Sequence, residues 1–241
     1  MAHNQHKNTK HFDANEIKVI AFDLDGTLID ASNAMLEVDE EVFGEAVENG
    51  HAERKPTKEE IYDTFGMIGD EAWAQLSSGL QEDQKDQYRK KRDERLQAKM
   101  DQNSYALSGV PQLLQSLSEK GYKLATASNC GDKYLEQVLA QDGLSQWIDY
   151  PLCAGNVGAS EKSDVLMELL KQSGLDASQA LMVGDRKSDI EAAQKAGMPV
   201  VGVQSEFAED GELDEANAVI DDIQDLEKWL SEHTNSSSGS R

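Results

Sequence analysis

The stretch Ile17–Asp30, reading I-K-V-I-A-F-D-L-D-G-T-L-I-D, constrains this chain more than any other. Its largely apolar run to Phe22 is rich in Val and Ile, which favour a buried strand. Asp23 and Asp25 follow at the carboxyl end of that strand, where open α/β sheets bind ligands. Gly26 then lets the chain turn sharply. Two carboxylates aimed at one point call for a cation or a reacting phosphoryl group between them.

From Asp30 to about Tyr105 the character changes. Helical periodicity predicts helices over 33–48, 58–65, 71–76 and 82–100, with no strand among them. Thr57 with Glu60 three residues on reads as a capping box. Gly66-Met67-Ile68-Gly69 interrupts the pattern and could dip toward the acids; Arg54, Lys55 and Lys58 read as a solvated basic spot.

From Leu107 onward strands and helices alternate, with strands expected at 122–127, 150–154, 180–183, 199–203 and 218–220. Helices are expected at 108–120, 133–141, 163–173, 189–196 and 223–230. Such alternation predicts an α/β fold, a Rossmann-like parallel sheet with helices on both faces. The helical block is then an insertion after the first strand, over the two acids, and a candidate lid. The domain reading is a loose tail at 1–15, a core of 16–29 and 106–232, a helical cap at 30–105, and a disordered Ser-rich tail at 233–241.

Composition narrows the partners. The chain has 46 acidic against 23 basic residues, a formal net charge of −23. A surface of that sign repels nucleic acid and anionic membranes. No apolar run is long enough to span a bilayer, and the N-terminus lacks a signal-peptide core. A cytoplasmic monomer acting on a small molecule is the simplest expectation. Cys130 and Cys153 are too few for a disulfide framework and are read as free thiols. His3, His6 and His11 read as solvated, and Trp73, Trp147 and Trp229 as packing residues.

In a parallel sheet the polar strand ends gather along one edge. Asp23 and Asp25 come from the first strand and Ser128-Asn129 from the second. Gly184-Asp185 and Asp189 follow the strand at Ala180, and Lys162 opens a helix. Four carboxylates cannot share a small volume without a cation, and oxygen donors are what Mg²⁺ prefers. A lysine and a hydroxyl beside them suit an anionic substrate. The chemistry implied is phosphoryl transfer.

These motifs, D-L-D-G-T, S-N, a lysine and G-D-R-K-S-D in that order, resemble those of the haloacid dehalogenase-like hydrolase superfamily. The nearest likeness is to its phosphoglycolate phosphatase-like members with a helical cap. The resemblance implies that Asp23 is the nucleophile, forming an aspartyl-phosphate, and that Asp25 is the acid and then the base. It implies phosphate binding by Ser128, the Asn129 backbone and Lys162. Metal binding would fall to Asp23, the Asp25 carbonyl, Asp185 and Asp189, with Thr27 orienting Asp25. The implied enzyme is a Mg²⁺-dependent phosphatase of a small phosphorylated metabolite. A phosphomutase or an inorganic pyrophosphatase uses the same residues. Dehalogenases of the family lack the second acid, which Asp25 supplies here. The non-enzymatic alternative is a receiver-like phospho-acceptor, against which Asp25 and the large insertion argue.

Overall fold

The computed structural model describes residues 13–234. Strand β1 is Val19–Phe22, and all four of its side chains are buried. The helical block follows: α1 Ser32–Glu48, α2 Lys58–Tyr62, α3 Gly69–Leu76 and α4 Lys85–Met100. The alternating part then runs α5 Val110–Glu119, β2 Lys123–Ser128, α6 Asp132–Gln141, β3 Tyr150–Cys153, α7 Ala154–Val157 and α8 Lys162–Ser173. It closes with β4 Ala180–Gly184, α9 Lys187–Ala196, β5 Val200–Val203, β6 Ala218–Ile220 and α10 Leu226–Thr234.

The strands form one parallel sheet in the order β3-β2-β1-β4-β5-β6. β1 is central, with Val19 paired to Lys123 on one side and Ala180 on the other. The strand order reverses direction at β1, so a crevice opens at its carboxyl end. Ile20 and Phe22 face one apolar core, which takes in α5, α6 and α10. Val19 and Ala21 face a second, built with α8 and α9. Burial on both faces is why β1 reads as a continuous apolar run instead of alternating.

The block leaves and rejoins the core at adjacent points. The Asp30 N–H donates to the Tyr105 carbonyl at 2.9 Å, and the Leu107 N–H to the Leu28 carbonyl at 2.9 Å. Asp30 Oδ1 also accepts from the Ser32 N–H at 3.0 Å, which starts α1. Inside the block α1 packs on α4, with Arg92 paired to Asp39 at 2.5 Å. Thr57 and Glu60 form the expected capping box.

Several boundaries differ from the sequence expectation. α2 stops at Tyr62, three residues early, because the chain turns toward Gly66, whose φ is +83°. The expected N-terminal tail lies mostly outside the described residues, but Ala14–Glu16 forms a 3₁₀ turn with Ala14 buried. That turn seats on α10, so the core begins at least at Asp13. The expected C-terminal tail also lies outside the described residues from 235 onward, while Thr234 still belongs to α10. No helix among the described residues is long and apolar enough to cross a membrane.

Candidate active site

Asp23 is the first residue past β1, and its N–H donates to the Val183 carbonyl of β4 at 2.8 Å. That bond continues the ladder and fixes the direction of the carboxylate. Asp185 follows β4 and Asp189 lies in the first turn of α9. The three carboxylates are buried, and one oxygen from each lies within 4.8 Å of the others. Lys162, in the first turn of α8 and also buried, donates to Asp23 Oδ1 at 2.7 Å and to Asp189 Oδ1 at 2.5 Å.

Two glycines permit this closeness. A Cβ on Gly26, whose φ is +86°, would lie 2.2 Å from Asp185 Oδ2. One on Gly184 would lie 2.3 Å from the Asp189 side chain. Any side chain at either position would displace a carboxylate.

Each acid is held differently. Asp189 Oδ2 accepts from the Arg186 N–H at 3.0 Å, so the residue caps α9 while it pairs with Lys162. Asp185 accepts from the Thr27 hydroxyl at 3.1 Å and the Ser205 hydroxyl at 2.8 Å. Thr27 was expected to orient Asp25; its hydroxyl points to Asp185 instead, because the tight turn at Gly26 carries it toward β4. Asp25 Oδ1 accepts from the Tyr134 hydroxyl at 2.6 Å.

One lysine cannot balance this many acids. Burial pushes the Asp23 carboxyl up from its ordinary value, with Lys162 working against that and Asp189 and Asp185 adding to it. Asp185 is raised for the same first reason, its burial, reinforced by Asp189. Asp25 is pushed up to about 7 by burial, partly offset by the Tyr134 hydrogen bond. Burial opposes the Lys162 charge, yet Asp189 and Asp23 outweigh it and raise that pKa. A positively charged lysine and unfavourably charged acids are consistent with each other: one cation is shared among an excess of carboxylates. Buried oxygen donors in surplus fit a hard divalent cation such as Mg²⁺.

Ser128 closes β2 and its Oγ accepts from the Cys130 N–H at 3.2 Å. The Asn129 side chain donates to the Gly66 carbonyl of the block at 2.7 Å, and its Oδ1 is buried without a partner. Gly66 therefore does reach the active-site loop. A cavity of about 950 Å³ lies between the block and the sheet edge, lined by Asp23, Asp25, Ser128, Asn129, Lys162 and Asp185. Phe207 lines it too and packs against Tyr62 and Phe65, ring centroids 6.0 and 5.8 Å away. Arg54 pairs with Glu60 at the surface, while Lys133 lines the cavity and acts on the Asp93 carboxyl, which also lines it.

The structure thus brings together Asp23, Asp25, Thr27, Ser128, Asn129, Lys162, Asp185 and Asp189. Sequence reasoning missed Tyr134, Ser205 and Phe207. Ser205 had a usable signal, a hydroxyl two residues beyond a strand end. Tyr134 and Phe207 had none, since their roles depend on how a helix and a loop pack.

Residues 20–203 match the family described as haloacid dehalogenase-like hydrolase. A phosphoglycolate phosphatase of Aliivibrio fischeri is 30% identical over 194 residues, covering 76% of this chain and 82% of that protein. One from Vibrio cholerae is 31% identical over 186 residues, covering 75% and 81%. Among solved structures, one described as a predicted phosphoglycolate phosphatase from Haemophilus somnus superposes with a TM-score of 0.79 at 21% identity, covering 89% of this chain and 98% of that one. A β-phosphoglucomutase from Clostridium difficile superposes with a TM-score of 0.75 at 19% identity, covering 91% and 97%. The two structures share the fold. The chain belongs to the haloacid dehalogenase-like hydrolase family and is an enzyme of its phosphatase class.

Proposed function

We propose that this enzyme is a Mg²⁺-dependent phosphatase that hydrolyses a small phosphomonoester through an aspartyl-phosphate on Asp23. The observation that carries this is the state of the Asp23 carboxylate. Lys162 holds Oδ1, while Oδ2 has no protein donor among the described residues and the side chain lines the cavity. One oxygen is anchored and the other is available for attack.

Oδ2 of Asp23 attacks phosphorus, and the P–O bond to the leaving group breaks. Asp25 gives its proton to that leaving oxygen, then accepts one from the water that hydrolyses the aspartyl-phosphate. Lys162 and the Ser128 hydroxyl bind the phosphoryl oxygens, and the Asn129 backbone N–H faces the same group. Asp23 and Asp185, with the Asp25 carbonyl, would hold Mg²⁺. Asp189, which pairs with Lys162 and accepts from the Arg186 N–H, would hold the metal or its waters. Bound Mg²⁺ would supply the positive charge that lets a carboxylate approach an anion.

The helical block at 30–105 acts as the cap, and the cavity beneath it receives the rest of the substrate. Lys133 lines the cavity beside Arg89 and Arg92, all three acting on Asp93, and a second acidic group on the substrate would meet these cations. Phosphoglycolate, named in the relatives above, is the first compound to test.

The experiment is phosphate release from a panel of phosphorylated metabolites and p-nitrophenyl phosphate, with Mg²⁺ or EDTA. We expect multiple turnovers that need Mg²⁺ and a loss of at least about 10³-fold in Asp23→Asn. A single turnover per chain would instead point to a phospho-acceptor, and an isomerised sugar phosphate without phosphate release to a mutase.

A further inference from the structure

We propose that Tyr134 is the positioning residue of Asp25: its hydroxyl fixes Oδ1, so the catalytic proton travels on Oδ2. This rests on the phosphatase reading above. Among the site acids, Asp185 has a hydroxyl on each oxygen, whereas Asp25 is anchored through one oxygen by one hydroxyl. Its side chain has a single protein hydrogen bond among the described residues, from Tyr134 at 2.6 Å. Oδ2 has none, and Asp25 lines the cavity.

The anchor is itself well held. The Tyr134 ring packs on the apolar core. α6 begins four residues after Ser128, so the strand that presents Ser128 leads directly into the helix that presents Tyr134. One turn further, Gln137 donates to the Gln97 carbonyl of α4 at 2.8 Å. Positions i and i+3 share a helix face, so α6 is braced against the block on the side that carries Tyr134.

A carboxylic acid free to rotate about χ2 offers either oxygen to the substrate. Fixing Oδ1 leaves one productive orientation, and such restriction lowers the barrier to proton transfer. When the leaving oxygen takes the proton from Oδ2, Asp25 becomes a carboxylate. The Tyr134 hydrogen bond strengthens as that charge develops. In the second step the water proton returns to Oδ2. Tyr134 keeps its own proton throughout.

A group that acts only through Asp25 should matter most when the leaving group needs a proton. Tyr134→Phe keeps the ring and removes the hydroxyl. We expect kcat/KM to fall about 30-fold for an alkyl phosphate but no more than about 3-fold for p-nitrophenyl phosphate, whose phenolate departs without help. Inhibition by inorganic phosphate should be unchanged. In an Asp25→Ala background the same substitution should cost nothing further, because the hydroxyl has no partner left to orient. Tyr134→Leu, read by the same ratio between substrates, serves if the phenylalanine variant does not fold. Equal losses on both substrates, or a full loss persisting in the Asp25→Ala background, would overturn the inference while leaving the phosphatase reading intact. A wild type that releases no phosphate from either ester overturns both.

Discussion

The sheet edge and the helical block both hold acids against cations, but on opposite terms. In the block the cations find acids at or near the surface: Arg54 with Glu60, Arg89 with Asp70, and Lys91 and Arg95 sharing Glu45. Most of these pairs are partly solvated, and such pairs contribute little to stability. At the edge, Asp23, Asp185 and Asp189 are buried, and among the described residues Lys162 is the cation that pairs within them. Charge that water can reach costs the block little. Unmatched buried charge is a cost, and it is tolerated where something that binds can relieve it.

The comparison can be broken at four points, in falling order of effect. Lys162→Met removes the cation that pairs with Asp23 and Asp189. It should lower phosphatase activity at least about 10³-fold, and activity near wild type would show that Lys162 is merely structural. Asp39→Ala tests the one block pair that resembles the site, since Asp39 is fully buried against Arg92. Leaving that guanidinium unpaired should cost about 2 to 3 kcal/mol in urea unfolding, less than a fully buried pair because Arg92 is partly solvated. An unchanged midpoint would place the pair with the surface ones.

The third test varies pH. Asp25 rises from 3.8 to about 7 on folding, through burial first, and burial also raises Asp23 and Asp185, the carboxylates assigned to Mg²⁺. A carboxyl raised in the folded state binds its proton more tightly there than in the unfolded chain. Its contribution favours folding at low pH and is lost as pH climbs from about 4 through 7. In EDTA, the melting temperature should therefore fall by several degrees between pH 5.5 and pH 8, and Mg²⁺ should restore most of it at pH 8 only. Equal Mg²⁺ effects at both pH values would mean that the cluster is not the binding site. Last, Arg54→Ala removes half of a solvated pair, and both activity and melting temperature should stay at wild-type values.

Much of this was legible in the sequence because the signals were local. β1 was readable as an apolar run ending in acids, and Gly26 as a turn. Thr57 and Glu60 carried their own capping geometry. The site acids fell at strand ends, which a parallel sheet must align. Contacts set by packing were not legible. Thr27 turns toward Asp185 because of the backbone path at Gly26, and Tyr134 reaches Asp25 only because of how α6 lies on the sheet. The end of α2 was overrun because helical periodicity continues through Tyr62 to Phe65, while Phe65 packs edge-on against Phe207, a residue distant in sequence.

The pairing of Val19 with Lys123 and Ala180 has a kinetic meaning as well. Of the described strands β1 leaves the ribosome first, yet both neighbours lie beyond the block. At a synthesis rate of about 5–20 residues per second, β1 waits roughly 5 to 20 seconds for β2 and longer for β4. The helices of the block, whose contacts are shorter in range, have time to form first. Pulse-labelling hydrogen exchange during refolding should then protect α1 and α4 before β1, with protection of β1 arriving together with that of β4.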